Sequence, residues 1–114
     1  MGTPSYAPPE QLRGLGEQAG PATDIYSLGA ILYELLTGRA PFQGEDVWRT
    51  VQQVQHDEPL SPRLLNPAVP RDLETICLKC LEKSPASRYP SAAALADDLD
   101  RYCAFRPKIG RAHV

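Results

Sequence analysis

The chain has 114 residues, of which 42% are hydrophobic, so it can bury the modest core of one domain or of a piece of one. Its formal net charge of -2 gives no basic field for nucleic acid, and no apolar run reaches the roughly 20 residues of a membrane-spanning helix. An odd number of cysteines inside helical patterns fits reduced thiols, and no signal peptide is evident. We therefore expect a cytoplasmic protein without nucleic acid or a membrane segment.

The first 20 residues are rich in glycine and proline. Pro4, Pro8 and Pro9 fix the backbone φ angle and remove hydrogen-bond donors. This pattern predicts an ordered loop with at most one helical turn, at 9–13.

The longest apolar pattern is Asp-Ile-Tyr-Ser-Leu-Gly-Ala-Ile-Leu-Tyr-Glu-Leu-Leu-Thr-Gly at 24–38. Its apolar residues follow the helical period and leave little of the circumference suited to water. The pattern predicts a buried central helix that begins at Thr23 or Asp24 and ends at Gly38. Asp24 has two interpretations, a plain helix cap or a carboxylate that needs backbone donors from another segment.

A second helix is predicted to open at Asp46. It places Val47, Val51 and Val54 on one face, with Trp48 beside them. The stretch 59–70 contains four prolines and no periodicity, so we expect a surface connection without regular structure.

The helix predicted at 71–83 follows the amphipathic template without a miss. Cys77 and Cys80 fall on its apolar stripe, and no second pair of ligands stands at zinc spacing, so we interpret both as small hydrophobes and assign no metal. Ser91 is predicted to cap a last helix that turns Leu95, Leu99 and Cys103 inward and its aspartates outward. Four to five helices and no strand make the predicted class all-α.

Local sequence patterns indicate no catalytic or ligand-binding site. The sequence has no glycine-rich phosphate loop and no Ser/His/Asp arrangement, and His56 and His113 have no recognisable partners. From pattern alone the chain is a helical module of unknown role.

A resemblance to a known family adds a function. Residues 2–10, Gly-Thr-Pro-Ser-Tyr-Ala-Pro-Pro-Glu, closely resemble the stretch Gly-Thr-Pro-x-Tyr-Met-Ala-Pro-Glu that ends the activation segment of serine/threonine protein kinases, and seven of the nine positions agree. Further blocks at 24–29, 36–42 and 78–89 resemble, in order, the start and the exit of the family's central helix and the segment that holds its late arginine. The resemblance covers residues 2 to about 105 and is to bacterial members of the family.

The resemblance implies a partial kinase C-lobe at 1–107, built around the buried central helix. The family places its ATP-binding loop, lysine, catalytic aspartate and magnesium-binding aspartate before the block that begins at Gly2. ATP and Mg²⁺ are therefore expected of the parent kinase and not of this chain, which we expect to be inactive alone. Its expected partners are a protein substrate and the missing N-lobe and catalytic loop of the same kinase, and the parent is compatible with a membrane anchor elsewhere.

Two groups of residues take roles from the resemblance. A substrate-positioning group consists of Thr3, Pro4, Ser5, Tyr6 and Ala7. A scaffold group consists of Glu10, Asp24 and Arg88. Taken singly, these could be an ordinary loop threonine or solvated surface charges. A second hypothesis for the whole chain is a helical binding or regulatory module that uses a kinase-like C-lobe without catalysis.

The chain departs from the family where Ala-Pro-Glu reads Pro8-Pro9-Glu10 and where Ala7 replaces methionine. The resemblance also implies a buried, bidentate ion pair between Glu10 and Arg88, which would anchor the proline-stiffened loop to the helical core. We also expect Asp24 to lack partners where the catalytic loop is absent. The same absence is expected to leave Ile25, Leu28 and Leu32 exposed.

The last six residues, at 109–114, fit neither a helical period nor the family's pattern. They match one reading frame of a common sequencing adapter, ATC-GGA-AGA-GCA-CAC-GTC. In the adapter this stretch is preceded by the nucleotides AG, which an AAG codon for Lys108 would supply. We interpret 108–114 as a non-native tail and exclude it from functional argument. The alternative is a natural disordered terminus.

Overall fold

The computed structural model describes residues 4–12 and 20–105; Thr3, Arg13 and the tail at 108–114 lie outside them. Within these ranges the chain forms two short 3₁₀ turns (Pro4–Tyr6 and Pro85–Ser87) and the helices α1 (Pro9–Leu12), α2 (Pro21–Thr37), α3 (Val47–His56), α4 (Pro62–Leu65), α5 (Arg71–Cys80) and α6 (Ala92–Phe105). No strand occurs in the described ranges, and the all-α prediction is confirmed.

Helix α2 is the centre of the fold, as predicted, but it begins earlier. It starts at Pro21 after Gly20, because proline at the first helical position loses no hydrogen bond that the helix needs. It ends as predicted at Gly38, whose φ of 84° is left-handed and whose N–H donates to the carbonyl of Glu34 at 2.7 Å.

Two hydrophobic clusters meet at α2. The larger contains Tyr26, Ala30 and Tyr33 of α2 with Phe42, Val54, Cys77 and Leu81. The smaller contains Ile25 with Ile76, Cys80, Tyr89 and Leu95. The helix therefore joins α3, α5 and α6 into one core.

One side of α2 carries no cover from the described residues. Leu28, Ile31 and Leu35 are 46%, 50% and 78% exposed, so the expected exposure of Leu28 is confirmed. These side chains share a face because helical positions three or four apart lie one above the other. The expected exposure of Ile25 is wrong, since it is 1% exposed against α5 and α6. Leu32 is half-buried.

The caps of α3 and α6 follow the predictions, but some of their faces do not. The Asp46 carboxylate accepts from the Arg49 N–H at 2.8 Å, and the Ser91 hydroxyl oxygen accepts from the Ala94 N–H at 3.0 Å. In α3, Thr50 and Val54 are buried, but Val47, which was predicted on the same face as Val54, is exposed. In α6, Cys103 was predicted to point inward and is exposed.

Two boundaries also differ from the predictions. A single helical turn, α4, forms within the stretch 59–70 that was expected to be irregular, because Pro62 suits a first helical position. Helix α5 ends at Cys80, three residues before the predicted end, and a turn carries the buried Leu81 into the core.

Helices α2 and α5 approach most closely at Gly29. A Cβ atom built there would lie 2.4 Å from the Cβ of Cys80, and the thiol of Cys77 lies 3.6 Å from the Gly29 carbonyl oxygen. Burial raises the pKa of both thiols to about 12, so they remain protonated and pack as small apolar groups, as predicted.

Gly29→Ala tests this contact. The added methyl group forces α2 and α5 apart, and we expect the free energy of unfolding to fall by about 1–3 kcal/mol. Urea denaturation measures the change. Gly20→Ser is the control, because nothing lies within 4 Å of a Cβ there and serine suits the start of a helix. Equal stabilities of the two variants would contradict the close approach.

Candidate functional site

The proline-rich loop is a turn with its own hydrogen bonds. The carbonyl of Pro8 accepts from the N–H groups of Gln11 at 3.1 Å and Leu12 at 3.3 Å, which closes α1. Pro8 and Pro9 are fully buried, and Pro9 occupies the first position of α1, where no N–H is needed. The departure from the family pattern is thus accommodated as the beginning of a helix.

The predicted ion pair between Glu10 and Arg88 is present. The two terminal nitrogens of Arg88 each donate to one carboxylate oxygen of Glu10, both at 2.9 Å. Glu10 is 5% exposed and Arg88 is 3% exposed. The pair is therefore bidentate and buried, and it joins residues 78 positions apart.

Every N–H group of the Arg88 guanidinium has an acceptor. Besides Glu10, the acceptors are the backbone carbonyls of Ala22 at 2.9 Å, Glu82 at 2.7 Å and Lys83 at 3.2 Å. A guanidinium has five N–H donors in a fixed plane, and all five are used. Arg88 thereby connects α1, the start of α2 and the turn after α5.

The surroundings of the pair keep Glu10 ionised. Burial alone would raise the pKa of this carboxyl, but the hydrogen bonds from Arg88, supported by the Thr23 hydroxyl at 3.2 Å, hold it below its ordinary value. The Arg88 guanidinium also lies over the ring of Tyr26, 5.0 Å from its centroid. The hydroxyl of Tyr26 is buried without a hydrogen-bond partner among the described residues.

The loop at 4–7 is fixed to α2 through Tyr6. The Tyr6 hydroxyl donates to the carboxylate of Glu34, and this hydrogen bond raises the pKa of the phenol. The Ser27 hydroxyl donates to the Tyr6 carbonyl at 3.1 Å. Ser5, Tyr6 and Ala7 are half-buried, so the loop keeps one side open to solvent.

Sequence reasoning missed Glu34. Its partner is 28 residues distant, so no local pattern marks it. The available signal is a single charged residue within the largely apolar stretch 25–36.

Asp24 lies in the first turn of α2, where its side chain is exposed and hydrogen-bonds to no other described residue. Its interpretation as a plain cap is wrong, because Gly20 occupies that position. It shares the open face of α2 with Leu28, Ile31 and Leu35.

Comparison with known proteins places the chain in a family. Residues 1–99 match the model of the protein kinase domain. The chain is 37% identical to serine/threonine-protein kinase PknB of Mycobacterium leprae over 107 residues, which are 94% of this chain and 17% of that protein. It is 39% identical to PknB of Mycobacterium tuberculosis, over 89% of this chain and 16% of that protein. It is 36% identical to PksC of Streptomyces coelicolor, over 91% and 18% respectively.

The chain belongs to the protein kinase family, with bacterial serine/threonine kinases among its relatives. Its all-helical fold is that of a partial kinase C-lobe. The chain spans less than a fifth of the length of these relatives. In the part that the structure describes, no helix has the length and apolar character of a membrane span.

Arg88→Ala and Glu10→Ala test the ion pair. Each substitution leaves a buried charge without its partner, so each should lower the free energy of unfolding by about 3–5 kcal/mol. The double variant should lose much less free energy of unfolding than the sum of the two single variants. Arg88→Lys should also be less stable than the native sequence, because lysine lacks the planar fork of arginine. The control is Arg101→Ala, which breaks the exposed pair with Asp98 and should cost less than about 1 kcal/mol. Strictly additive losses would show that the pair is not coupled.

Acid should remove the stabilisation by Glu10. Its pKa is lower in the folded chain than the ordinary value of 4.5, so its contribution is complete above that value and is lost as the pH falls through the folded-state pKa. Unfolding measured between about pH 3 and pH 7 should show a steeper loss for the native sequence than for Glu10→Gln. Parallel curves would contradict the assignment.

Proposed function

We propose that this chain is the C-terminal part of the catalytic domain of a serine/threonine protein kinase and that its loop at 4–7 positions a protein substrate. The parent enzyme transfers a phosphoryl group from ATP to serine or threonine hydroxyls. The observation that carries the proposal is a loop anchored on both sides, by Tyr6 to Glu34 and by Glu10 to Arg88. An anchored loop with one solvent-facing side suits a peptide that must be held in one register.

The positioning group is Thr3, Pro4, Ser5, Tyr6 and Ala7, and the scaffold group is Glu10, Asp24 and Arg88. Substrate contacts come from the first group. In the second group, Glu10 and Arg88 hold the first group at a fixed place on the helical core, and Asp24 faces the segment that we assign below. None of these residues needs to carry out phosphoryl transfer, because positioning is itself a large part of catalysis in this reaction.

Neither the sequence motifs nor the described residues offer a site that fits ATP or Mg²⁺. The sequence has no glycine-rich phosphate loop, and the described residues contain no group of three side chains that could hold a metal ion. We assign both ligands to the part of the parent kinase that carries the N-lobe and the catalytic loop.

The open face of α2 is the proposed contact with that part. Leu28, Ile31 and Leu35 form an apolar stripe, and Asp24 extends it with a carboxylate that has no described partner. An apolar stripe favours burial, and a carboxylate at its end is satisfied by backbone N–H groups of a segment that covers it. We assign this role to the catalytic loop of the same kinase.

Steady-state kinetics of the intact parent kinase test the positioning role. Tyr6→Phe removes the hydrogen bond to Glu34, and we expect the KM for protein substrate to rise about five- to tenfold while the KM for ATP stays unchanged. Tyr89→Phe is the matched control, because it removes a phenol that donates to Asp98 in another part of the fold. It should leave both constants unchanged.

The chain alone, with Mg²⁺ and radiolabelled ATP, should transfer no phosphate to a generic substrate above background. Clear turnover by the chain alone would overturn the assignment of catalysis to another part. An inactive intact parent would instead favour a non-catalytic module. A shift in the KM for ATP alone would remove the positioning role of Tyr6.

A further inference from the structure

Ala7 occupies a position at which the family pattern has methionine. The pattern Gly-Thr-Pro-x-Tyr-Met-Ala-Pro-Glu aligns with residues 2–10, and its methionine falls on Ala7. The alanine side chain ends at Cβ, whereas methionine carries a flexible thioether chain beyond it. The loop at 4–7 therefore lacks the volume of that chain beside Tyr6.

The residue before Ala7 is fixed to α2 at two points. The Tyr6 hydroxyl donates to the carboxylate of Glu34, and the Tyr6 carbonyl accepts from the Ser27 hydroxyl at 3.1 Å. The ring of Tyr6 also packs against the larger hydrophobic cluster. Tyr6 is thus held through its side chain and its backbone, and it does not turn to fill the space beside it.

The residue after Ala7 is fixed as well. Pro8 is fully buried, and its carbonyl accepts from the Leu12 N–H at 3.3 Å in the turn that forms α1. Two residues further on, Glu10 is held by Arg88. A shortened side chain leaves unfilled space where its surroundings cannot relax. The volume that alanine omits is therefore left open between two anchored neighbours.

The surface of the loop around Ala7 is reachable from solvent and carries no charge. Ala7 is half-buried, and none of the side chains at 4–9 carries a formal charge. The hydroxyl of Tyr6 is already used by Glu34. A side chain that fills the space at Ala7 therefore gains chiefly by removing apolar surface from water.

We propose that Ala7 selects protein substrates that carry a large apolar side chain, such as leucine or methionine, close to the phosphoacceptor. This inference rests on the proposed substrate-positioning role of the loop at 4–7. The side chain of the substrate occupies the volume that the methionine of the family pattern would fill. A substrate with alanine at the same place leaves that volume empty and loses the contacts of its lining.

Steady-state kinetics of the intact parent kinase with a set of peptides test the selection. Each peptide has a single phosphoacceptor, and leucine replaces alanine at one flanking position at a time. We expect one position at which leucine raises kcat/KM about tenfold over alanine, because added methyl and methylene groups in an apolar site give discrimination of this order. Aspartate at that position should give no gain.

The variant Ala7→Met separates selection by Ala7 from general support of the loop. It restores the side chain of the family pattern, so it should lower kcat/KM for the leucine peptide about tenfold and leave that for the alanine peptide within about twofold. Ala93→Met is the matched control, because it makes the same change at an exposed position of α6. It should keep the preference of the native sequence.

Three results would overturn the inference: no preferred apolar position in the native parent, an unchanged preference in Ala7→Met, or an equal loss with both peptides in that variant. The positioning role of the loop has a separate test in Tyr6→Phe. If Tyr6→Phe raises the KM for protein substrate while the native parent shows no apolar preference, the selection by Ala7 is wrong and the positioning role stands.

Discussion

The fold depends on one buried arginine that has an acceptor for every N–H group. Arg88 connects the carboxylate of Glu10 to backbone carbonyls at the start of α2 and after α5. The loop that carries Glu10 has no strand or long helix of its own, and its buried prolines supply stiffness without long-range hydrogen bonds. The ion pair therefore fixes one side of a rigid loop on the helical core, and the contact of Tyr6 with Glu34 fixes the other.

Helix α2 has one buried side and one exposed side. Tyr26, Ala30 and Tyr33 close the core, and Gly29 permits the close approach of α5. The opposite stripe, with Leu28 and Leu35, is apolar and exposed. Helix α2 has apolar residues on both sides, but the described residues cover only one of them. Such a helix is expected where part of a domain is absent. This agrees with a chain that covers less than a fifth of its relatives.

Local chemistry made several features predictable from the sequence. The caps at Asp46 and Ser91 and the stop at Gly38 depend on residues within one helical turn, and they form as expected. Apolar periodicity does not tell which face of α2 finds a partner, so the exposure of Leu28 was expected only through the family resemblance and the burial of Ile25 was not expected. The contact of Tyr6 with Glu34 joins residues 28 positions apart, and the pair of Glu10 with Arg88 was expected only through the family resemblance.

The separation of Glu10 and Arg88 along the chain has a consequence for biosynthesis. A ribosome must add 78 residues after Glu10 before the partner exists, which takes roughly 4–16 seconds at bacterial and eukaryotic rates of elongation. During that interval the nascent loop has its prolines and its turn, and it can gain the contact of Tyr6 with Glu34, but it lacks the buried ion pair. Both anchors are complete only when nearly all of the helical core has been translated, so an incomplete chain holds the loop on one side alone.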